Sequence, residues 1–486
     1  MKTSSMSMGF TLSLSSSSSI IFHPCTKTHD VFCLARYHKK KRKGIRMQIA
    51  SSTAQVSAPS RTQELVNADE GENRVQKIME NISTVSEAGG AGGASSYHAL
   101  KRLDQLWLEI RTHKSDASAP TEVVKCLSGS YLQTGSKPRM LQFDVIICGG
   151  TLGIFVATAL SLRGLRVCII EKNILKGRAQ EWNISRKELM ELVKVGILSE
   201  DEIDEVIAVT FNPNRCGFMG RSEVWVEDIL NLGVSPVKLI DIVKQRFLRL
   251  GGMIIEGHSV SSILTYQDAA VVKLDNGEAL DAHLIIDSMG NFSPIVRQIR
   301  SGKKPDGMCL VVGSCARGFK ENSTSDIIYS NLPTRKVGES RVQYFWEAFP
   351  AASGPLDRTT YLFSYMNAQP NCPSLEQMLE DYWDLMPEYQ GARLDDLEIL
   401  RVVFGIFPTY RESPLPAAFD RILQVGDASG IQSPISFGGF GSISRHLGRL
   451  STGTTLSINH SLDLLWRSGF FACLNIVCIH ISMCDL

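Results

Sequence analysis

The stretch Phe143–Lys172 constrains the fold of this chain more than any other, because it combines apolar runs and glycines in a fixed order. The apolar run Val145–Ile147 has the character of a buried parallel strand. Apolar side chains then recur at helical spacing, and a second apolar run, Val167–Ile170, ends at Glu171. The turn between the first run and the helix contains three glycines: Gly149, Gly150 and Gly153. The pattern predicts a strand, a tight turn, a helix and a parallel strand.

This arrangement suits a dinucleotide whose pyrophosphate rests on a helix N-terminus. Glycines let the backbone approach the phosphates, and Glu171 lies about twenty residues on, where an acid can accept hydrogen bonds from ribose hydroxyls. Aligned on Gly150 and Gly153, the first glycine of the usual fingerprint is replaced by Cys148, which predicts a looser turn. The alternative is a structural turn of the same shape that holds no ligand.

Bulk composition narrows the class of protein. The chain has 486 residues, with 51 Lys and Arg against 50 Asp and Glu, so its charge gives no reason to expect nucleic acid as a partner. Its twelve cysteines are scattered without zinc-site spacing, which favours reduced thiols and no metal. We find no apolar run of the roughly eighteen residues that span a bilayer.

The first part of the chain reads as a leader. Residues 1–60 are rich in serine, have Asp30 as their only acid and carry the basic cluster Lys39–Lys43. This composition predicts a disordered plastid transit peptide and hence a chloroplast protein. An ordinary disordered tail and a nuclear signal are the alternatives.

Residues 61–140 are expected to be a linker with one amphipathic helix near 98–113. The apolar face of that helix includes Leu100, Trp107 and Ile110. We expect it to pack on the domain that follows. Further on, Ser185 and Glu188 have the spacing of a capping box that starts a helix.

A second motif lies in the middle of the chain, where an apolar run ends at Asp287 and is followed by Gly290 and Ser293. A carboxylate and a glycine at a strand's carboxyl end suit the edge of a nucleotide site, although common turn chemistry explains them equally. Two arginines, Arg178 and Arg186, could meet phosphates or simply be solvated.

A third motif begins where the apolar run Ile422–Val425 ends at Gly426 and Asp427. Such a strand brings an aspartate to a sugar–phosphate chain. The start of a glycine-rich helix lets backbone N–H groups meet a flavin edge. The residues that carry this part of the motif are Pro434, Gly438 and Gly439.

Between the second and third motifs, residues 308–401 have β-rich patterning and many aromatic side chains. They predict a second domain that forms the wall of an apolar substrate pocket, or a sheet packed with its own aromatics. Glu347 lies among these aromatics. An acid in apolar surroundings has a raised pKa and can hold a proton for general acid catalysis, whereas an exposed strand glutamate is the plain alternative.

The three motifs together resemble FAD enzymes of the hydroxybenzoate-hydroxylase fold, which include aromatic monooxygenases, geranylgeranyl reductases and lycopene cyclases. The resemblance covers about 141–450. It implies an α/β fold with a Rossmann-like, three-layer FAD-binding domain on a parallel sheet (141–307 and 402–453). The β-rich substrate domain (308–401) would be inserted into it.

Several stretches resemble the CruA/CruP group of lycopene cyclases more closely, and the plastid-like leader points to the CruP side. The motifs are Gly177–Leu189, Phe211–Phe218, Tyr344–Pro350 and Gly426–Gly441. The resemblance implies a plastid, FAD-dependent enzyme that cyclises a linear carotene by protonating a terminal double bond. NADPH would keep the flavin reduced, and the carotenoid substrate implies peripheral contact with plastid membranes.

The resemblance also implies roles for particular residues. Glu347 occupies the place of the essential acid of lycopene cyclases, although its flanking residues differ. FAD contacts are implied, with Arg186 and Asp287 as weaker candidates, at Gly149, Gly150, Gly153, Glu171, Gly426, Asp427, Pro434, Gly438 and Gly439.

Two other functions stay open at this point. One is a redox enzyme of the same fold, a monooxygenase or prenyl reductase. The other is a flavoprotein paralogue without catalytic activity. Residues 454–486 form an atypical, cysteine-rich and apolar tail, which raises the expectation of an alternative end to the chain. A transcript sequence across the Gly453 codon would test it.

Overall fold

The computed structural model describes residues 74–82, 96–112, 120–133, 139–430 and 439–459, all within one compact unit. The leader 1–60, Pro434, Gly438 and residues 460–486 lie outside them. The helices are α1 Arg74–Glu80, α2 Tyr97–Thr112, α3 Gly153–Ser161, α4 Arg186–Val195, α5 Glu200–Val206, α6 Pro236–Arg249, α7 Pro294–Ile299, α8 Leu375–Gln390 and α9 Gly439–Asn459.

The strands of the first half of the chain are β1 Val124–Cys126, β2 Phe143–Cys148, β3 Val167–Glu171, β4 Trp182–Ile184, β5 Ile207–Thr210, β6 Asn214–Phe218, β7 Val224–Val226, β8 Leu232–Val234, β9 Met253–Glu256 and β10 Val260–Thr265. Those of the second half are β11 Ala270–Leu274, β12 Ala279–Asp287, β13 Gly307–Arg317, β14 Ser325–Ser330, β15 Arg335–Val337, β16 Ser340–Val342, β17 Phe345–Pro350, β18 Asp357–Asn367, β19 Glu398–Thr409 and β20 Ile422–Gln424.

The first sheet has the order β1-β10-β11-β12-β2-β3-β9, with β20 beside β12. Its strands β20, β12, β2, β3 and β9 run parallel. Strand β11 is antiparallel to both β10 and β12, and β1 forms the edge, parallel to β10. Side chains alternate between two apolar layers, since Val145 and Ile147 pack with the helices whereas Ile146 and Cys148 pack on the opposite face. This is the three-layer arrangement that the sequence predicted.

The second sheet has the order β19-β13-β18-β17-β14-β6-β7. One face packs against α1, α2 and α8, and the other carries an aromatic cluster. Strands β6 and β7 come from residues 214–226, a segment that the sequence placed in the nucleotide-binding half. The second sheet is therefore built from a longer part of the chain than 308–401.

Helix α2 lies where its apolar face predicted a helix, and it packs against α8, about 270 residues further on. The Trp107 indole N–H donates to the Pro373 carbonyl at 2.8 Å. The Asp104 carboxylate accepts from the amides of Leu375 and Glu376 and so caps α8 from a distant segment. The 61–140 region also supplies β1, an edge strand of the first sheet, so it is not entirely a linker.

Candidate active site

The glycine turn after β2 is held by the strand beside it. Gly149 adopts φ of 95°, a left-handed conformation that favours glycine, and its N–H donates to the Ile170 carbonyl at 2.9 Å. The Gly150 N–H donates to Glu171 Oε2 at 2.7 Å. Glu171 therefore fixes the turn while standing at the carboxyl end of β3, where the sequence expected a ribose partner.

Helix α3 begins directly after this turn with an open N-terminus. Its N-cap residue is Leu152, which makes no side-chain capping hydrogen bond. In contrast, serine side chains cap α4, α6 and α8. The first amides of a helix have no partner within the helix, so α3 offers its donors and its positive dipole end to an anion.

The turn is too closely packed to hold larger residues. A Cβ on Gly149 would lie 2.5 Å from the Ser288 carbonyl oxygen, and one on Gly153 would lie 2.8 Å from Ile147 Cγ2. A Cβ on Gly150 would collide with Leu175 Cδ1. The backbone lies so close to its neighbours at these three positions that a side chain would not fit, which explains why all three residues are glycine.

Cys148 does not disturb the turn. It is the last residue of β2, is fully buried, and belongs to the apolar layer on the face away from α3. Burial raises the pKa of its thiol well above the usual range. Gly149 provides the tight backbone turn, so the substitution is a core-packing feature at this position.

The mid-chain motif lies beside the glycine turn, but its aspartate faces inward. Asp287 is fully buried; its carboxylate accepts from the Ser293 hydroxyl at 2.7 Å and from the Met289 amide at 3.1 Å. Burial raises the pKa of Asp287 to about 6, although both donors act to lower it. Its side chain is thus committed to the turn before α7, and the neighbouring Ser288 is the residue that meets Gly149.

The third motif meets the other two. Gly426 adopts φ of 63° in a short 3-10 turn, and a Cβ there would lie 4.0 Å from Leu152 Cδ1. A Cβ on Gly439 would lie 2.9 Å from Asp427 Oδ1, and the Asn291 amide donates to Asp427 Oδ2 at 3.4 Å. The three motifs, far apart in sequence, therefore converge at the carboxyl ends of β2, β12 and β20, as expected for a shared ligand.

The two arginines left open by the sequence have different surroundings. Arg186 is exposed at the start of α4 and pairs with Asp204 at 2.9 Å. These surroundings match the alternative in which this arginine is solvated. Arg178 is partly buried, lies 6.0 Å from the Trp182 ring and interacts electrostatically with Asp427 and Tyr361. Arg178 therefore stands between the glycine-rich motifs and the aromatic sheet.

A buried ion pair that the sequence did not single out joins the two halves. The Arg401 guanidinium in β19 contacts Glu181 at 3.2 Å and donates to Gln180 Oε1 at 3.1 Å. The Ala352 amide donates to Glu181 Oε1 at 2.9 Å. The segment after β3 is thereby fastened to the second sheet. Its partner, Arg401, is 220 residues away, and no local pattern could reveal it.

Glu347 lies on the aromatic face of the second sheet. It is paired in register with Tyr361 of β18, and burial raises the pKa of Glu347 to about 7. Asn183 of β4 gives it a hydrogen bond, which opposes the rise. The amide oxygen of Asn183 is buried and has no hydrogen-bond partner among the described residues.

The aromatic face around Glu347 is continuous. Phe345 stacks on Phe363 with centroids 5.6 Å apart and meets Tyr365 edge-on at 6.1 Å. Phe349 packs against Tyr361 at 5.9 Å. The opposite face, with Trp346, packs on α8. The sequence prediction of an acid among aromatics therefore applies to one face of the sheet only.

Comparison with solved structures identifies the fold. A point mutant of the halogenase PltM in complex with FAD is 16% identical, with 70% of this chain and 74% of that chain aligned and a TM-score of 0.53. A geranylgeranyl bacteriochlorophyll reductase-like protein from Thermoplasma acidophilum is 17% identical, with 70% and 83% aligned and a TM-score of 0.54. The flavin-dependent brominase Bmp2 is 17% identical, with 68% and 82% aligned and a TM-score of 0.50.

No family model and no curated protein matches the chain. The solved structures show the predicted fold class: a Rossmann-type α/β domain on a mostly parallel sheet, joined to a β-rich second domain. Among the described residues, no cluster of His, Cys, Asp and Glu has the geometry of a metal site. The helices described here also include none that is both long and apolar enough to cross a membrane.

Proposed function

We propose that this chain is a FAD-dependent, lycopene cyclase-like enzyme that protonates and cyclises a linear carotene or a derivative of one. The observation that carries the proposal is Glu347, a carboxyl whose pKa is raised to about 7 on an apolar aromatic face. Such a group holds a proton near neutral pH and is surrounded by side chains that suit a lipophilic polyene.

The residues of the glycine turn fit FAD. The open N-terminus of α3 would receive the pyrophosphate, Glu171 the ribose, and the Gly426–Asp427 turn with Gly439 the remainder of the cofactor. When bound and reduced, with NADPH as the proposed reductant, the flavin would supply electrostatic stabilisation of positive charge.

The chemical steps use the chain's own residues. The Glu347 carboxyl gives its proton to a terminal double bond, which leaves a carbocation on the carotene. A neighbouring double bond attacks the cation to close the ring. The Glu347 carboxylate then takes a proton from the ring, which forms the final double bond and restores the carboxyl, so the net reaction is an isomerisation. The faces of Tyr361 and Phe345 favour the cation electrostatically.

The test is the product profile of a lycopene-accumulating host that expresses the wild-type protein. We expect ring-containing carotenes with no net change in hydrogen content. If the host accumulates lycopene alone while the protein is present and flavin-loaded, the cyclase proposal fails for this substrate.

A redox enzyme of the same fold, either a monooxygenase or a prenyl reductase, is the second candidate, and the folds of the halogenases and the reductase-like protein favour keeping it. Stoichiometric consumption of NADPH per product would support it over cyclisation. Purified, flavin-loaded protein that turns over neither carotenoid nor prenyl substrates would favour a non-catalytic paralogue.

The cofactor can be tested without any substrate. Gly149→Ala places a Cβ 2.5 Å from the backbone carbonyl oxygen of Ser288 at a φ of 95°, so the turn must shift, and we expect flavin to bind roughly ten- to a hundredfold more weakly. Gly448→Ala, within α9, is the matched control, since its Cβ would lie at an ordinary contact distance, 3.6 Å, from Val195 of α4. Flavin absorbance of the purified variants is the measurement. Equal flavin content in both would contradict the assignment of this turn.

Plastid location is also proposed, on the composition of residues 1–60. A fluorescent protein fused behind these residues should enter chloroplasts in a plant cell. Accumulation in the nucleus would instead support the basic cluster Lys39–Lys43 as a nuclear signal.

A further inference from the structure

The hairpin of β6 and β7 ends in an unusually apolar tip. The tip, defined as residues 218–225, includes four large apolar side chains whose exposed fractions lie between 49% and 56%. These side chains are Phe218, Met219, Val224 and Trp225. Contiguous exposed apolar side chains of this kind mark interaction surfaces on soluble folds.

The tip is apolar on both faces of the sheet. Phe218 meets Phe345 edge-on at 6.1 Å, so it extends the aromatic face that contains Glu347. Trp225 is paired in register with Arg215 and belongs to the opposite face, where Arg215 lies 5.8 Å from its ring. A sheet edge that packs against protein on one side needs only one apolar face, whereas a tip surrounded by an apolar medium needs both.

A second protein chain is a poor fit for this edge. Strand β7 has three residues, too few for extensive strand addition, and the exposed Arg221 and Glu223 precede it. Asp228 and Leu230, with φ of 59° and 49°, then turn the backbone away. Short, charged and bent edges are the devices by which sheets avoid pairing with other chains.

We propose that the 218–225 tip inserts into the interfacial region of a lipid bilayer. Aromatic side chains with an apolar body are favoured at that depth, and Arg221 at the turn suits the headgroup layer. The base of the hairpin is rigid, since the Arg215 guanidinium pairs with Asp326 at 2.8 Å and 2.9 Å. As far as substrate entry is concerned, the inference rests on the proposed function: a lipophilic substrate would pass from the bilayer onto Phe218, then Phe345.

Vesicle co-sedimentation of the full-length, flavin-loaded protein tests the proposal. We expect binding to vesicles of phosphatidylcholine and phosphatidylglycerol in equal parts. The double variant Phe218→Ser/Trp225→Ser should bind roughly tenfold or more weakly, because two inserting apolar side chains are lost. The control Leu248→Ser/Met253→Ser removes similarly exposed side chains, 42% and 48%, from the other sheet and its helix and should bind normally.

A second measurement covers the case in which the serine variant folds poorly. Brominated lipids quench a tryptophan that enters the bilayer. Wild-type fluorescence should be quenched, and the conservative Trp225→Phe variant should keep vesicle binding while losing the part of the quenching that Trp225 contributes. Equal quenching in the two proteins would overturn the proposal.

Two other outcomes would also overturn it. One is undiminished vesicle binding by the double serine variant. The other is a wild-type protein that does not bind vesicles but forms a dimer, with the dimer abolished in this variant. The assay contains no carotene and its readout is lipid binding. It can therefore succeed where the cyclase test fails, and the reverse.

Discussion

Two carboxyl groups, the buried Asp287 in the first sheet and the half-buried Glu347 in the second sheet, have raised pKa values but different surroundings. Burial raises the pKa to about 6 for Asp287 and about 7 for Glu347. Asp287 has both oxygens engaged by the turn that it closes, with Ser293 and Met289 as donors. Glu347 has the hydrogen bond from Asn183 and faces aromatic rings. A raised pKa alone therefore does not identify a catalytic acid. The carboxyl must also face a space where it can give its proton to a substrate, instead of being held by its own turn.

The largest expected effect is a loss of activity on substitution of Glu347, which distinguishes it from Asp287. Glu347→Gln should lower cyclised product at least about a hundredfold, since general acids contribute roughly 10²- to 10⁴-fold. Product in the lycopene-accumulating host is the measurement, normalised to flavin-loaded protein. Glu398→Gln, an exposed glutamate that begins β19, is the control and should behave as wild type. Product at the wild-type level from Glu347→Gln would show that another group is the acid.

The next effect is on stability. A carboxyl whose folded pKa is raised binds its proton more tightly when folded, so it stabilises the protein at low pH. For Glu347, that stabilisation is lost as the pH rises from 4.5, the pKa of the carboxyl in the unfolded chain, to about 7, its pKa in the folded protein. The drop amounts to about 3 kcal/mol for Glu347. Glu347→Gln should remove it, and urea unfolding at pH 4 and pH 8 would measure the difference.

Asp287→Asn can be measured in the same way. This variant should remove the part of the stability loss that is complete near pH 6, the pKa of Asp287, and not near pH 7. If both variants retain the full wild-type loss of stability between pH 4 and pH 8, neither carboxyl is held protonated by burial.

Asn183 should have a smaller effect, and one visible mainly in the pH profile. Asn183→Leu removes a donor to the charged form of Glu347, so the pKa of that carboxyl should rise further. The alkaline limb of activity, expected near pH 7 in wild type, should move to higher pH. Asn371→Leu, an exposed position before α8, is the control. An unmoved limb in Asn183→Leu would argue that Asn183 does not position the acid.

The smallest expected effect on turnover belongs to Asp287→Asn. The asparagine oxygen can still accept from the Met289 amide, and its NH₂ group can donate to the Ser293 hydroxyl. We expect turnover within roughly threefold of wild type and an unmoved alkaline limb, because the side chain stays within its turn. A large loss of turnover with normal flavin content would instead give Asp287 a role in the chemistry.

Local sequence patterns determined much of the part of the chain that forms the first sheet. The strand, turn and helix around Gly149, the capping box of Ser185 and Glu188, and the strand before Asp427 depend on neighbours within about thirty residues. Spacing and residue type therefore carry the information. The same patterns could not decide between Arg178 and Arg186, because solvation depends on what packs against each side chain.

What the sequence determined by itself is the strand–turn–helix pattern of the first sheet and the presence of an acid among aromatics. Only the tertiary structure decided which face Glu347 occupies, that β6 and β7 join the second sheet, and that Arg401 fastens Glu181 to it. These features depend on contacts between segments far apart in the chain. A three-residue strand or a buried ion pair has no periodicity to read, and its stability comes from partners that only folding brings within reach.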